Sequence, residues 1–342
     1  MVRSDMFPVI DVHAHDIPVE LPGELRRRGA DFGARLEDHE GEWFIAHAQG
    51  YRYPLATEFF DVERRLADMG SRGISLTVLS PSPTFFGYEM DAGAAAEMAT
   101  IINDGTASMV RRGNGRLAGM ATLPLQDTRR ALQELERSVM AHGFRAIEVG
   151  SHVAGMPLSD PSLREIWARV QELDLLVFVH PYYTGVKPRM ERFYLTNLIG
   201  NPLDTALAVA DVCFSGMLDE MPGLKLLFAH GGGFMPYQVG RLRHGFKVRD
   251  EPKVATTRSP EETFRMLYFD TITHDAAALR YLVSSVSAAH VCLGSDLPFD
   301  MADEQPLATV QAAGLDPSDL TRIAGGNLRD RFQASEAGGV GD

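Results

Sequence analysis

Eight short apolar runs recur along the chain, each closing on small or polar residues. They occupy 8–15 (PVIDVHAH), 74–81 (ISLTVLSP), 117–124 (LAGMATLP), 144–152 (FRAIEVGSH), 175–181 (LLVFVHP), 224–233 (LKLLFAHGGG), 266–273 (MLYFDTIT) and 291–299 (VCLGSDLPF). Their length and nearly unbroken apolar character suit strands of a parallel sheet covered on both faces. Between them the apolar spacing changes to that of helices. Segment 61–73 opens on an Asp61 N-cap, and 127–143 runs from Asp127 to a Gly143 stop. Segment 160–173 sets Pro161 after an Asp160 cap and puts Leu163, Ile166, Trp167 and Val170 on one stripe. A further short helix is predicted at 326–332. Eight strands alternating with helices predict an α/β fold of the (β/α)8 TIM-barrel class. The competing open, doubly wound sheet would call for a G-x-G-x-x-G turn after the first run, and none follows.

One domain is expected over residues 1–335. Residues 16–60 are too long for a simple βα loop. The stretch WFIAHAQGYRYP at its centre predicts a small hairpin cap over the barrel mouth. The small, polar residues 336–342 are expected to form a disordered tail.

Composition narrows the class. The chain has 342 residues, 45% of them hydrophobic, and a formal net charge of -13. Such acidity repels nucleic acid and anionic membranes, but leaves room for a small anionic substrate met by local arginines. Cys213 and Cys292 make no C-x-x-C pair and no disulfide framework. The N-terminus lacks a signal-peptide core, and no apolar run approaches the ~20 residues of a membrane span. A cytoplasmic protein is the expectation.

Candidate chemistry collects where barrel enzymes keep their active sites, at the C-terminal ends of the strands. His13 and His15 close the first run, His180 the fifth, His230 the sixth and Asp296 the eighth. Strand alternation predicts Asp11, His13 and His15 on one face, with Ile10, Val12 and Ala14 turned toward the helices. Two neutral imidazoles at i and i+2 on a rigid strand can bind one divalent metal at ~2.1 Å. The pair alone reads more readily as hydrogen-bonded histidines at a strand end. Matching groups at four strand ends point to a metal site.

The motifs DVHAH, FVHP, FAHGGG, VGR and LGSDLPF resemble the amidohydrolase superfamily, in the branch around 2-amino-3-carboxymuconate-6-semialdehyde decarboxylase. LPL, HGFRAIEVGSHV and RLRHGF follow in matching order. The resemblance implies one divalent metal per subunit, zinc first and manganese second, on His13, His15, His180 and Asp296. His230 would be the unbound acid/base, sharing proton transfer with Asp296. A single metal agrees with the residues, because binuclear members use a carboxylated lysine on a middle strand. None of the four lysines (Lys187, Lys225, Lys247, Lys253) ends a strand, although Glu148 offers a possible bridging carboxylate.

The resemblance further implies a homodimer in which Arg241 reaches the neighbouring subunit's substrate; a solvent-exposed helix arginine is the plain alternative. Arg189 and Tyr194 follow the fifth strand, with Tyr194 where the resembled decarboxylase has tryptophan. Phe86 is a candidate aromatic wall or a core residue. Arg52 stands near the position of a substrate-binding arginine, and His274 lies near the mouth. The implied reaction is metal-dependent, non-oxidative decarboxylation of a small unsaturated or aromatic carboxylic acid. A hydrolase cleaving a C–C, ester or lactone bond with metal-activated water is the alternative from the same ligands. A non-catalytic barrel would be expected to have lost one of the five site residues.

Overall fold

The computed structural model describes residues 8–182 and 189–332. The expected tail at 336–342 lies outside the described residues. Eight parallel strands form one sheet in chain order: β1 (Ile10–Asp16), β2 (Leu76–Pro81), β3 (Leu117–Ala121), β4 (Ala146–Gly150), β5 (Leu176–His180), β6 (Lys225–Phe228), β7 (Tyr268–Asp270) and β8 (Val291–Cys292). The ring closes between β8 and β1, where Val12 N–H donates to Leu293 O at 2.9 Å and Ala14 bridges Leu297. The architecture is the (β/α)8 barrel that the run pattern predicts.

Helix boundaries follow their local signals. Asp61, Asp127 and Asp160 accept the predicted cap hydrogen bonds from Arg64, Arg130 and Ser162 N–H. Each such cap stabilises by about 1 kcal/mol. Gly143 ends the helix Thr128–His142 at φ 71°, a left-handed conformation that glycine adopts without a Cβ penalty. Trp167 is buried and donates its indole N–H to Leu158 O at 2.7 Å.

Two apolar layers result. Alternate strand residues such as Val177 and Val179 on β5, and Leu226 and Phe228 on β6, pack with the helices. A separate cluster fills the barrel axis with Ile10, Val12, Leu76, Val78, Met120, Ala146, Leu176, Phe178, Leu227 and Cys292. Here the structure corrects the simple alternation expected for β1. Ile10 and Val12 face the barrel interior, not the helices. Pairing with β2 runs Ile10↔Leu76 and Asp11↔Thr77, then Ala14↔Leu79 and His15↔Ser80, so β1 has one extra residue between Asp11 and Ala14. That bulge reverses the phase of the strand. Val12 packs with the interior cluster, and His13 and His15 still point inward above it.

The insertion folds as the helix Glu20–Arg28 and a three-stranded antiparallel sheet, Ala34–His39, Glu42–His47 and Arg52–Pro54. Its own core joins Ile17, Leu21, Leu25, Ile45 and Phe59 to Phe85, Met98 and Ile102. Packed there, the sheet holds the 49–54 turn over the barrel mouth.

Candidate metal centre and catalytic pocket

Side chains from β1, β5, the turn after β6 and the loop after β8 meet at the mouth. His13 and His15 are fully buried. His13 Nε2 lies 3.1 Å from His15 Nε2 and 3.3 Å from Asp296 Oδ1, and His15 Nε2 lies 3.1 Å from the same oxygen. His180 completes the group, its ring centroid 5.2 Å from that of His13 and 5.1 Å from that of His15.

The remaining ring nitrogens fix the tautomers. His13 Nδ1 faces Asp270 Oδ2 at 2.7 Å, His15 Nδ1 faces Pro81 O at 3.3 Å and His180 Nδ1 faces Pro181 O at 2.9 Å. Each Nδ1 has an acceptor in front of it, so each donates its N–H there and presents a bare Nε2 lone pair to the others. His180 Nε2 and Asp296 Oδ1 are buried without a hydrogen-bond partner. Lone pairs facing one another across about 3 Å repel unless a cation lies between them. Four donors bound tetrahedrally at ~2.1 Å stand ~3.4 Å apart, close to the 3.1–3.3 Å among His13, His15 and Asp296, with His180 within 4.8 Å of His13 and Asp296. The residues fit one divalent metal.

Charge agrees with geometry. Burial holds His15 and His180 below the usual histidine range, which favours neutral, ligand-competent imidazoles. At His13 burial opposes the charge, but the carboxylates of Asp296 and Asp270 outweigh it and raise the group to about 10. Burial likewise works against the Asp296 anion, yet His13 and its neighbouring imidazoles hold that carboxyl well below the usual range. Two buried carboxylates thus make a well of negative potential that favours a cation.

His230 also borders the centre. His13, His180, His230 and Asp296 each present an atom within 4.8 Å of the others. Its contact is different in kind, because Nε2 lies 3.3 Å from Asp296 Oδ2 while His13 and His15 face Oδ1. Asp296 therefore turns one oxygen to the donor cluster and the other to His230. The backbone at His230 is left-handed, φ 56°, a conformation that glycine or asparagine adopts more readily.

Above this floor lies a cavity of about 680 Å³, bounded by Gln49–Pro54 of the insertion, Phe59, Thr84, Tyr194, Asn197 and Phe299. A second hollow of about 530 Å³ meets the first at His230 and Asp296 and runs toward His274. Tyr194 thus stands at the mouth and His274 on the far side of His230. Arg52 reaches the rim, but its guanidinium binds Glu37 at 3.0 Å and lies over the Phe44 ring at 3.8 Å, on the outer face of the sheet. Phe86 does not line the cavity. It is buried in the core, stacked on Tyr88 at 5.5 Å and packed on Tyr182. Arg189 and Arg241 are exposed, and neither lines the cavity.

Asp270 and Arg65 escape the sequence reading, and Glu148 is singled out there only as a bridging carboxylate. Asp270 ends β7 and grips His13. Glu148 lies on β4 with its carboxyl 3.8 Å from His15 Nδ1, and burial holds it well above the usual range. Arg65 is buried and donates to His15 O and Glu58 O at 2.7 Å, tying the insertion to the end of β1. Alternation from Tyr268 forward puts Asp270 on the interior face of β7, the one local signal for it, and nothing local reveals its partners.

The amidohydrolase family model matches residues 10–330. The chain is 32% identical over 307 residues to 2-amino-3-carboxymuconate-6-semialdehyde decarboxylase of Dictyostelium discoideum, covering 87% of this chain and 83% of that one. It is 27% identical over 298 residues to 6-methylsalicylic acid decarboxylase of Penicillium expansum, covering 84% of each. In three dimensions it is similar to a dihydroxybenzoic acid decarboxylase from Polaromonas solved with bound manganese and 2-nitroresorcinol. That match has a TM-score of 0.79, 22% identity, and covers 96% of this chain and 97% of the other.

Proposed function

The chain belongs to the amidohydrolase family, and on that premise we propose that it removes CO2 from a small aromatic or unsaturated carboxylic acid with the help of one divalent cation. It is a carboxy-lyase. The observation that supports the reading best is the convergence of three bare Nε2 atoms and one carboxylate oxygen, with every matching Nδ1 already donating elsewhere. His13, His15, His180 and Asp296 Oδ1 would hold the cation, zinc in first place; manganese in the Polaromonas relative keeps that metal as the alternative. Bound there, it supplies positive charge that orients and neutralises the anionic substrate.

The chain's own groups supply the proton. His230 Nε2 and Asp296 Oδ2 face each other across 3.3 Å at the cavity floor, where they can share a proton. His230 delivers it to the carbon bearing the carboxylate, which becomes tetrahedral. The bond to the carboxylate then breaks, its electron pair restores the conjugated system, and CO2 leaves. Each turnover consumes one proton, which solvent returns to the His230–Asp296 pair.

A panel of aromatic and muconic acids assayed for CO2 release tests the reading. With a hydroxybenzoic acid in deuterated water, the product is expected to contain one deuterium at the vacated carbon. In ¹⁸O water it should gain no oxygen. Oxygen incorporation into the product, without CO2 release from any member of the panel, would instead establish a hydrolase.

We also propose a homodimer. Helix Met235–Val248 exposes Tyr237 and Arg241 one turn apart, and Phe234 and Tyr281 lie exposed nearby. Aromatic rings beside an exposed arginine suit an interface, and would let Arg241 meet a carboxylate in the partner's cavity. Activity per chain is expected to fall on dilution, in step with dissociation measured by light scattering. Full activity in a monomer would remove the idea. Buried, unpaired Cys213 and Cys292 suit a reducing compartment such as the cytoplasm. Among the described residues, no helix is long and apolar enough to cross a membrane.

A further inference from the structure

Asp270 ends β7, fully buried, beneath both His13 and the turn that presents His230. Its carboxylate accepts four hydrogen bonds. Oδ2 takes His13 Nδ1–H at 2.7 Å and the His230 backbone N–H at 2.9 Å. Oδ1 takes the Gly231 N–H at 2.8 Å and the Ile272 N–H at 3.0 Å. A carboxylate offers about four lone-pair sites, so this one is saturated.

The backbone that it receives is unusual. His230, Gly231, Gly232 and Gly233 all have positive φ, at 56°, 60°, 76° and 62°. In this turn the successive N–H groups of His230 and Gly231 point to one side and form an anion-binding concavity. Asp270 fills that concavity from a neighbouring strand. Holding a histidine in the left-handed region costs roughly 1–3 kcal/mol, and two charge-assisted hydrogen bonds offset it. The close approach also needs Gly294, where a Cβ would stand 2.8 Å from His13 Cβ and 3.2 Å from Asp270 Cβ.

We propose that Asp270 is the positioning residue that sets the metal ligand His13 and the acid/base His230 in register with each other. One carboxylate orients the His13 ring so that Nε2 faces the cation, and the same carboxylate fixes the strained turn from which His230 reaches Asp296. The inference rests on the roles proposed above for His13 and His230. Two functions thereby share one anchor, and a change at Asp270 should disturb both, which a contact to either alone would not.

Asp270→Asn is the sharpest test. An amide keeps one acceptor oxygen and gains an NH2 group, so in either orientation at least one pair of the four donors faces another donor. Zn2+ affinity, measured by competition with a chromophoric chelator, is expected to weaken about 10–100-fold, the scale for losing such an outer partner. At saturating Zn2+, kcat should stay at least tenfold below wild type while KM moves less, because the His230 turn is no longer held. In the His230→Asn background, Asp270→Asn should still weaken zinc but lower kcat no further. A folded Asp270→Asn protein with wild-type zinc affinity, or with kcat fully restored by zinc, would overturn the proposal. Should wild-type protein itself bind neither Zn2+ nor Mn2+, the metal reading fails and the role assigned to Asp270 at His13 falls with it.

A measurement on the intact protein guards against a variant that fails to fold. In ¹⁵N-histidine-labelled, zinc-loaded enzyme, His13 is expected to show a slowly exchanging, downfield Nδ1–H and a metal-bound Nε2. The reverse tautomer, with the proton on Nε2, would overturn the proposal with no mutation made.

Discussion

Replacing His13 with alanine is expected to strip the metal and the activity together. Four donors share the binding free energy of such a site, which for structural zinc sites is about 10–16 kcal/mol. Removing one of four forfeits about 2.5–4 kcal/mol, or about 10²–10³ in affinity at about 1.4 kcal/mol per decade. The loss at His13 should lie at the upper end. Its Nε2 stands against both His15 Nε2 and Asp296 Oδ1, and its removal leaves the buried Asp270 carboxylate one donor short. Elemental analysis after desalting should find well under stoichiometric metal, and CO2 release should fall in proportion. High concentrations of added zinc should recover only part of the rate, because the restored cation would sit on three ligands. A desalted His13→Ala protein that is fully metallated and active would refute the ligand assignment.

The site was legible in the sequence where strand ends name it. His15, His180, His230 and Asp296 each close a run of apolar residues, and the barrel brings such ends to one face by construction. The order of eight strands followed from the same runs, since continuous apolar stretches bounded by glycine and polar residues have few other uses in a chain of this length. What alternation alone missed was the bulge between Asp11 and Ala14. A strict period of two puts Val12 opposite His13, whereas the structure turns both inward, and only the pairing register with β2 reveals the extra residue. Arg52 stops at the rim of the cavity for a similar reason. Its neighbour Tyr53 turns toward the mouth and hydrogen-bonds Ser82 and Thr84, so strand alternation sends Arg52 to the outer face with Glu37 and Phe44. Phe86 went to the core because Tyr88 and Tyr182 offer it a stacked apolar nest, a contact between distant segments that no local pattern encodes. Asp270 shows the limit most clearly. An aspartate in YFDT reads as a turn residue until β7 is set beside the HGGG turn after β6, and its four partners then come from three separate parts of the chain.

Replacing His230 should have the opposite signature to His13: metal retained, chemistry lost. Asparagine is the better replacement, because it tolerates the left-handed backbone at this position more readily than alanine does and so keeps the turn on Asp270. With the imidazole gone, Asp296 keeps Oδ1 toward the ligand cluster and loses only the partner of Oδ2. Zinc or manganese content should therefore remain near one per chain. The reaction, however, needs a proton at carbon, and an amide neither delivers one nor takes it back from solvent. Loss of a positioned acid typically costs 10²–10⁴-fold, or about 3–5.5 kcal/mol of barrier. That loss should appear in kcat at saturating substrate, with KM little changed, because the cation and the cavity walls still bind the acid. The mutant should also release CO2 and form the protonated product in equal amounts, only slowly, since no other step has been rerouted. If His230→Asn left kcat intact, the proton would have to come from elsewhere on the cavity floor. If it released metal instead, His230 would join His13 and His180 as a ligand, as its place within 4.8 Å of both permits, and the acid would have to be sought in Asp296 alone.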